Sequence, residues 1–558
     1  MDEEQPAVTS SAEAEFEWYT SVPRRERLRS STLPPDLVRG VTTRVLLARC
    51  GKVFRKRPDS LPLDTQKLLF DLSSPTNDLA FFLSHVWNSP GWQKYIALSL
   101  HFLDDSALVG GGLAALAVLL SQWYLFGMRA SQSPGNSPSY TMDRYHEASQ
   151  WELLAGMIVL WSVLLIGHYF LRCSRGFLDC ACIHQTDIEK KTIGITHLGS
   201  FLRVSKKLLI CWDAEYLKRG WCVYELATFL ALNPEGSLQM LPLRMYVVKL
   251  STHIIFSICH GAYFYLEPLL TVAVTSTGTH CVAAVLLAIA YAFGCVLGIY
   301  VSEWCWKDVM MLQWQLDGFD FRNTCVKVKR DQSTILKSIL RMYPDGGVEQ
   351  FNNVVQTKVK EILLREFSKQ RCPISYRHAL FVTFPFVCSS LGSCEKAGVS
   401  LPLRMTFLIC GITHAFAVVP VLLAMCMRWA MVCIVSPAVG ARAVFACRIR
   451  GGVTLALITA LFWTIAFLFT SVAAGENDVL GMKPWHGVLG ATLLALPAWS
   501  LCVWFYWPVP LNGYLNRFIG RSLNGYLNRY SLVPPIASSP MESLSDETSG
   551  DSCSSESE

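Results

Sequence analysis

Two kinds of apolar pattern divide the chain. Over 79–103 and 173–248 the apolar runs are short, bounded by polar turns and separated by segments of helical length; elsewhere they extend to roughly 20 residues. In the first region Phe81–His85, Phe177–Ile183, Leu208–Trp212 and Leu238–Val248 read as strands. A helix starting at Trp92, an amphipathic segment His197–Val204 and an apolar helix Trp221–Leu232 lie between them. Short buried strands alternating with helices predict parallel β/α units, whose ligands sit where strands hand over to helices.

The long runs are Ala107–Phe126, Trp151–Leu171, His253–Val274, Cys281–Val301, Tyr376–Gly392, Met405–Cys426, Val453–Val472 and His486–Trp507, a working total of eight bilayer crossings. The third contains His260, Glu267 and Pro268, which also fits a re-entrant segment, and the fifth is short. The first two fall inside the β/α region. A hairpin returns the chain to its starting side, so strands on either side of it can share one sheet.

The expected organisation is a basic N-terminal arm over 1–78; an α/β domain made of 79–103 and 173–249; an inserted transmembrane hairpin over 104–172; a transmembrane pair over 250–302; a helical segment over 303–377; a transmembrane bundle over 378–508; and a tail over 509–558. Phe351, Val355, Val359 and Ile362 mark one face of an amphipathic helix in the 303–377 segment. Residues 511–518 recur as 523–530 (LNGYLNRF, LNGYLNRY), too few copies for a solenoid.

Composition supports the membrane reading: 52% of the 558 residues are hydrophobic and 16% are charged. Charge distribution adds orientation. Residues 1–17 carry six acids and no base, and no apolar core of a signal peptide follows them. Residues 24–57 carry eleven Lys or Arg against Glu26 and Asp36, a solvated arm or a peripheral anchor for an anionic leaflet. The loop 428–451 has four arginines and no acid, whereas 473–483 has Glu476 and Asp478 against Lys483. By the positive-inside rule both termini and 303–377 are expected in the cytosol. The last residues, from Pro540, hold six acids and many serines, which predicts a disordered tail. The twenty cysteines are scattered through apolar segments and do not form a compact disulfide framework; Cys180 and Cys182 lack partners at zinc spacing, so no metal site is expected.

Chemistry is densest from Phe177 to Leu232. From Trp221 to Pro234 the only charge is Glu225, and burying a lone carboxylate costs several kcal/mol unless it is protonated, paired or used. Glu225 is either a structural acid, paired with Arg219 or a loop amide, or a catalytic carboxylate. Ser84 and His85 close a strand at the end where this architecture binds ligands, and Asp179 and Gln185 belong near the same rim. Trp221 lies one helical turn before Glu225 and could wall a cleft or serve as core. Dinucleotide and phosphate-loop glycine motifs and an HExxH pair are absent, so dehydrogenase, kinase and zinc-protease chemistry have no support. No nucleic-acid partner is expected.

FFLSH at 81–85, FLDCACIHQTD from Phe177 and SKKLLICWDAEYLKRGWCVYEL from Ser205 together resemble the Toll/interleukin-1 receptor (TIR) domain and its relative, the fungal heterokaryon-incompatibility domain. From Phe81 to Glu225 is 144 residues, and removing the 69 of Asp104 to Arg172 leaves 75, enough for three strand–helix units. The resemblance covers about 100 residues. It implies a flavodoxin-like parallel sheet joined to an all-α multi-pass region. Some TIR members release nicotinamide from NAD through the glutamate of a W-C-x-x-E motif, here Glu225, and others self-associate into signalling assemblies. By that resemblance NAD is a substrate and not a resident cofactor, Glu225 is catalytic, and Ser84, His85 and Trp221 line its site. Two departures stand out, the loop CIHQTDIEKKTIG and the inserted hairpin. Three functions remain open: a membrane-tethered NAD hydrolase, a non-catalytic membrane adaptor, and a transporter with a regulatory domain.

Overall fold

The computed structural model describes residues 37–132, 151–170, 173–233, 236–271, 276–326, 329–363, 375–396, 400–435, 441–474 and 482–506. The acidic start, the basic residues before Leu37, the hairpin linker, the LNGYLNR duplication and the acidic tail lie outside the described residues, as do parts of the two loops compared for charge and the side chains of His260, Glu267 and Pro268.

The strands are β1 (Arg39–Thr42), β2 (Ser74–Pro75), β3 (Phe81–His85), β4 (Arg175–Phe177), β5 (Lys207–Trp212) and β6 (Ser237–Pro242), in the spatial order β2-β1-β4-β3-β5-β6. From β4 to β6 the neighbours are parallel: Phe82 pairs with Phe177 on one side and with Leu208 on the other, and Leu209 pairs with Gln239. The strands before and after the inserted hairpin therefore share one sheet, as the spacing required. Taken alone, the parallel strands run second, first, third, fourth, an order compatible with flavodoxin-like sheets.

The sheet as a whole is mixed, which corrects the parallel expectation. β1 joins β4 antiparallel, and β2 joins β1 antiparallel. Residues 37–75, read as part of a solvated arm, supply this edge. Val41 is fully buried, and the Arg39 guanidinium lies 4.1 Å above the Phe70 ring while donating to Ser73 Oγ at 2.8 Å and Ser73 O at 2.6 Å. One arginine thus staples the first strand to the turn before the second.

All five residues of β3 are buried, because a central strand is covered on both faces. Phe82 stacks on Phe177 at 4.3 Å. Gly176 makes room for Phe81: a Cβ there would lie 2.1 Å from that ring. Two expected strands are shorter than their apolar runs. β4 ends at Phe177, and Asp179–Cys182 is a helical turn; β6 ends at Pro242, and Leu243 opens a helix.

In chain order the helices used below are α1 (Thr43–Gly51), α2 (Gly91–Gln132), α3 (Trp151–Ile166), α4 (Asp179–Cys182), α5 (Gly220–Leu232), α6 (Leu243–Thr271), α7 (Ser276–Asp317), α8 (Lys329–Met342), α9 (Tyr376–Lys396), α10 (Ala441–Ala474) and α11 (Pro484–Tyr506). α2 is one helix of 42 residues, so the crossover helix of the sheet and the first apolar crossing are continuous, with no proline to interrupt them. α3 returns beside it at close range: a Cβ on Gly111 would sit 2.8 Å from Gly156 O.

Six helical segments among the described residues are long and apolar enough to cross a membrane: Gly91–Tyr124, Trp151–Tyr169, Ile289–Asp317, Leu401–Ile434, Arg442–Ala473 and Pro484–Tyr506. The expected crossings at 253–274 and 376–392 fall in α6 and α9, which pack against the same helices but are not among the six. Leu457 and Leu461 on α10 and Leu489, Leu493 and Leu496 on α11 are exposed, a surface compatible with lipid. Phe351, Val355 and Val359 are fully buried, as the amphipathic pattern predicted, whereas Ile362 is half-buried and Leu363 takes the buried position beside it. The 303–342 region lies against the sheet: Gln315 Nε2 donates to Ala214 O at 2.6 Å, Cys325 N donates to Lys218 O at 2.7 Å, and α8 packs on α5.

Candidate functional site

β3 is the strand at which the parallel order reverses, with β4 on one side and β5 on the other. A crevice at the C-terminal ends of strands forms at such a point, and the polar residues collect there. β3 ends in Ser84 and His85, β5 leads into Asp213, and β4 into Asp179. Successive strand residues face opposite sides of a sheet, so Ser84 and His85 belong to separate clusters and cannot act as a nucleophile–base pair.

On one side, Ser84 Oγ lies 2.5 Å from Glu225 Oε2 and 2.7 Å from the Tyr216 hydroxyl. α5 brings Glu225 over the strand end. The same residues fix its start: Arg219 N and Gly220 N are bound by Tyr216 O and Cys325 O, and the Tyr216 hydroxyl also reaches Cys222 O at 3.4 Å. Burial pushes the Glu225 carboxyl up to about 8; the Ser84 hydrogen bond opposes the rise and the Asp179 charge adds to it. At neutral pH the group is therefore chiefly a carboxylic acid. Burial likewise raises the Tyr216 phenol, so Tyr216 acts as a hydroxyl donor.

On the other side, His85 is wedged between Phe54 and Trp87, with ring centroids at 5.8 and 4.7 Å. Its Nε2 is 3.7 Å from Asp179 Oδ1, an electrostatic contact too long for a hydrogen bond. Asp179 is held by the Trp87 indole N–H at 2.8 Å and by Cys180 N at 2.7 Å. Burial, followed by the nearby Lys94 charge, lowers the His85 pKa, and Asp179 only partly offsets them. Asp179 moves down despite its burial, through His85 and Trp87. Asp213, at the end of β5, accepts from Ser89 Oγ and from Glu215 N, and burial raises its pKa.

The structure thus joins Glu225 with Ser84, and His85 with Asp179. Arg219 is not among the hydrogen-bond or ion-pair partners of Glu225. Trp221 is turned elsewhere: its indole N–H donates to Asp331 on α8 at 3.2 Å, and its ring meets Tyr224 edge-on at 5.7 Å. Gln185 closes the α4 turn by donating to Ile183 O at 2.8 Å and Asp179 O at 3.3 Å, a structural duty. Sequence reasoning gave no role to Tyr216, although it lies in the quoted motif, and missed Lys94. Lys94 is fully buried one turn into α2, 5.5 Å from the Trp87 ring, and its ammonium lacks a hydrogen-bond partner. Its place just after the polar end of β3 was the available signal.

Comparison with protein-family models, curated proteins and solved structures finds no match for this chain.

Proposed function

We propose that this multi-pass membrane protein carries a TIR-like domain that cleaves the nicotinamide–ribose bond of NAD, with Glu225 as the carboxylate that stabilises the developing ribosyl cation. The observation that carries the reading is the Ser84–Glu225 contact at the reversal point of the parallel strands. Cleavage of an N-glycosidic bond to a pyridinium needs no proton on the leaving group, because nicotinamide departs neutral. What it needs is negative charge beside the ribose carbon, followed by water; the products are nicotinamide, ADP-ribose and a proton. Burial favours the protonated form of Glu225, and a cationic substrate beside it favours ionisation. The resulting carboxylate receives the Ser84 O–H, and the Tyr216 O–H in turn supports Ser84.

The topology belongs to the same proposal. α6 leaves the sheet at Pro242, and the far end of α7 returns to it at Gln315. Tyr376, opening α9, meets Tyr506, closing α11, with tilted rings at 5.1 Å. Each excursion therefore comes back to its starting side, which supports an even number of crossings with both termini, the sheet domain and 303–377 in the cytosol. Self-association through the TIR-like domain is part of the signalling reading.

The test is nicotinamide release by the purified full-length protein and by its Glu225→Ala and Glu225→Gln variants. Activity in the wild type and its loss in both variants supports the proposal. Wild type without release leaves the adaptor, for which Glu225 is a half-buried acid already bonded to Ser84. Activity that survives in Glu225→Gln removes the carboxylate from the chemistry.

A further inference from the structure

A second polar cluster lies where α2, α6 and α9 meet, and the proposed NAD chemistry does not use it. Asp104, His253 and His378 are 6%, 1% and 3% exposed, and one donor atom from each falls within 4.8 Å of the others. Asp104 Oδ1 is 3.4 Å from His253 Nε2, and Asp104 Oδ2 is 3.1 Å from both His378 Nδ1 and Lys249 Nζ.

The hydrogen bond on the far side of the His253 ring fixes which of its nitrogens carries the proton. His253 Nδ1 faces Lys249 O at 2.9 Å; a carbonyl only accepts, so this nitrogen is the N–H. His253 Nε2 in the neutral ring is then a lone pair aimed at a carboxylate oxygen. Thr252 Oγ1 gives its single proton to Lys249 O at 2.7 Å, so toward His378 Nε2, at 3.4 Å, it can only accept. His378 Nδ1 stands at hydrogen-bond distance, 3.1 Å, from Asp104 Oδ2; in the tautomer with the proton on Nε2, its Nδ1 also turns a lone pair toward Asp104. In that tautomer two lone pairs and a carboxylate converge, an arrangement that a cation between them satisfies. Asp104 Oδ1 and His253 Nε2 accordingly lack hydrogen-bond partners.

We propose that Asp104, His253 and His378 form a binding site for a divalent transition metal, zinc by its two-nitrogen, one-oxygen donor set. For metal–donor bonds of about 2.0–2.1 Å, neighbouring donors in a tetrahedral site stand roughly 3.3 Å apart; each imidazole has one Asp104 oxygen near that distance, and the three donors lie within 4.8 Å of one another. Lys249 occupies the outer oxygen of Asp104, and Lys249 O and Thr252 hold the remote ring nitrogens; such outer contacts orient metal ligands. The competing arrangement is one proton between Asp104 Oδ1 and His253 Nε2, with the His378 proton on Nδ1. His378 and Thr252 also line an apolar cavity of about 100 Å³ with Phe256, Tyr291, Leu422 and Cys426. Sequence spacing could not reveal this site, because its ligands come from three helices and span 274 positions.

The test is the metal content of full-length protein purified in detergent without a histidine tag, after expression with zinc. The expected result is about one zinc per chain, lowered at least tenfold in Asp104→Asn, His253→Ala and His378→Ala and unchanged in the exposed-site control His486→Ala. Where a variant fails to elute as a single species, cobalt-loaded wild type decides, through the ligand-field absorption of a tetrahedral Co²⁺ site. Wild type holding neither zinc nor cobalt overturns the proposal in favour of protons, as does zinc content that the three folded variants leave unchanged.

Discussion

Glu225 is a half-buried carboxylate and Asp104 a buried one, and their surroundings differ in kind. Glu225 stands on an apolar helix with neutral partners, and burial keeps its proton on. Asp104 faces a lysine and two imidazoles, each placed by a helix that packs on the others. A neutral acid can be replaced by an amide with little loss of stability, because shape and hydrogen bonding persist. A carboxylate that balances a buried ammonium cannot, because its removal strands the partner.

The largest expected effect follows from that contrast. Asp104→Ala leaves Lys249 without its counter-charge and should destabilise the protein by about 3 kcal/mol or more, read as a lowered thermal midpoint in detergent. Replacing the pair together, as Asp104→Leu with Lys249→Met, should restore much of the loss. Equal midpoints for Asp104→Ala and wild type would mean that the pair is screened by water and that the contrast with Glu225 is false.

Glu225→Gln should behave in the opposite way, with the fold intact and the rate reduced. One well-placed electrostatic contact is worth about 2.7–4 kcal/mol in a transition state, or roughly 100-fold to 1000-fold in nicotinamide release. If the carboxylate is the working form, kcat/KM of the wild type should rise with pH and level off above about 8. A profile that falls over that range would assign the protonated acid as the active species.

Stability should carry the same group with the opposite sign. Glu225 binds its proton more tightly folded than unfolded, so it adds no penalty below its ordinary value of 4.5; the penalty grows as pH rises to about 8 and is constant beyond. His85, whose folded pKa lies below 6.5, sets the acid side: the unfolded chain takes up its proton first, so stability falls as pH drops below 6.5. Asp179, lowered from 3.8, adds a loss at still lower pH. Glu225→Gln should therefore remove only the alkaline limb, gaining stability over wild type at pH 9 and little at pH 5. Parallel curves for the two proteins would place Glu225 in water and not in the cleft.

How much of this was legible in the sequence depended on how far apart the cooperating residues lie. β3, β5 and α5 were readable because each is a run of one kind of residue with a polar end; that Ser84 is the partner of Glu225 was not, since Arg219 or a loop amide was the expected one. The inserted hairpin was readable from length alone. β1 and β2 were not: four residues and two residues give no period, and Arg39 reads as a solvated charge until Phe70 and Ser73 are seen around it. The strand near Leu178 looked longer than it is because a buried helical turn, Cys180 to Cys182, is as apolar as a strand. The Asp104 cluster was invisible for the reason its chemistry is distinctive: each helix contributes one or two polar residues that look incidental alone.

The smallest effect concerns Trp221, which sequence placed beside Glu225 and the structure ties to Asp331. Losing a single hydrogen bond of this kind costs about 0.5–1.5 kcal/mol, so Trp221→Phe, which keeps the aromatic ring, should lower stability by that amount and leave nicotinamide release nearly unchanged. Asp331→Asn should act alike, and the double variant should be no worse than either single one, because both remove the same bond. A tenfold loss of kcat/KM in Trp221→Phe with no change in Asp331→Asn would instead mean that the indole swings toward the substrate when it binds. That outcome would return Trp221 to the wall of the cleft and make α8, which holds it away through Asp331, a determinant of access.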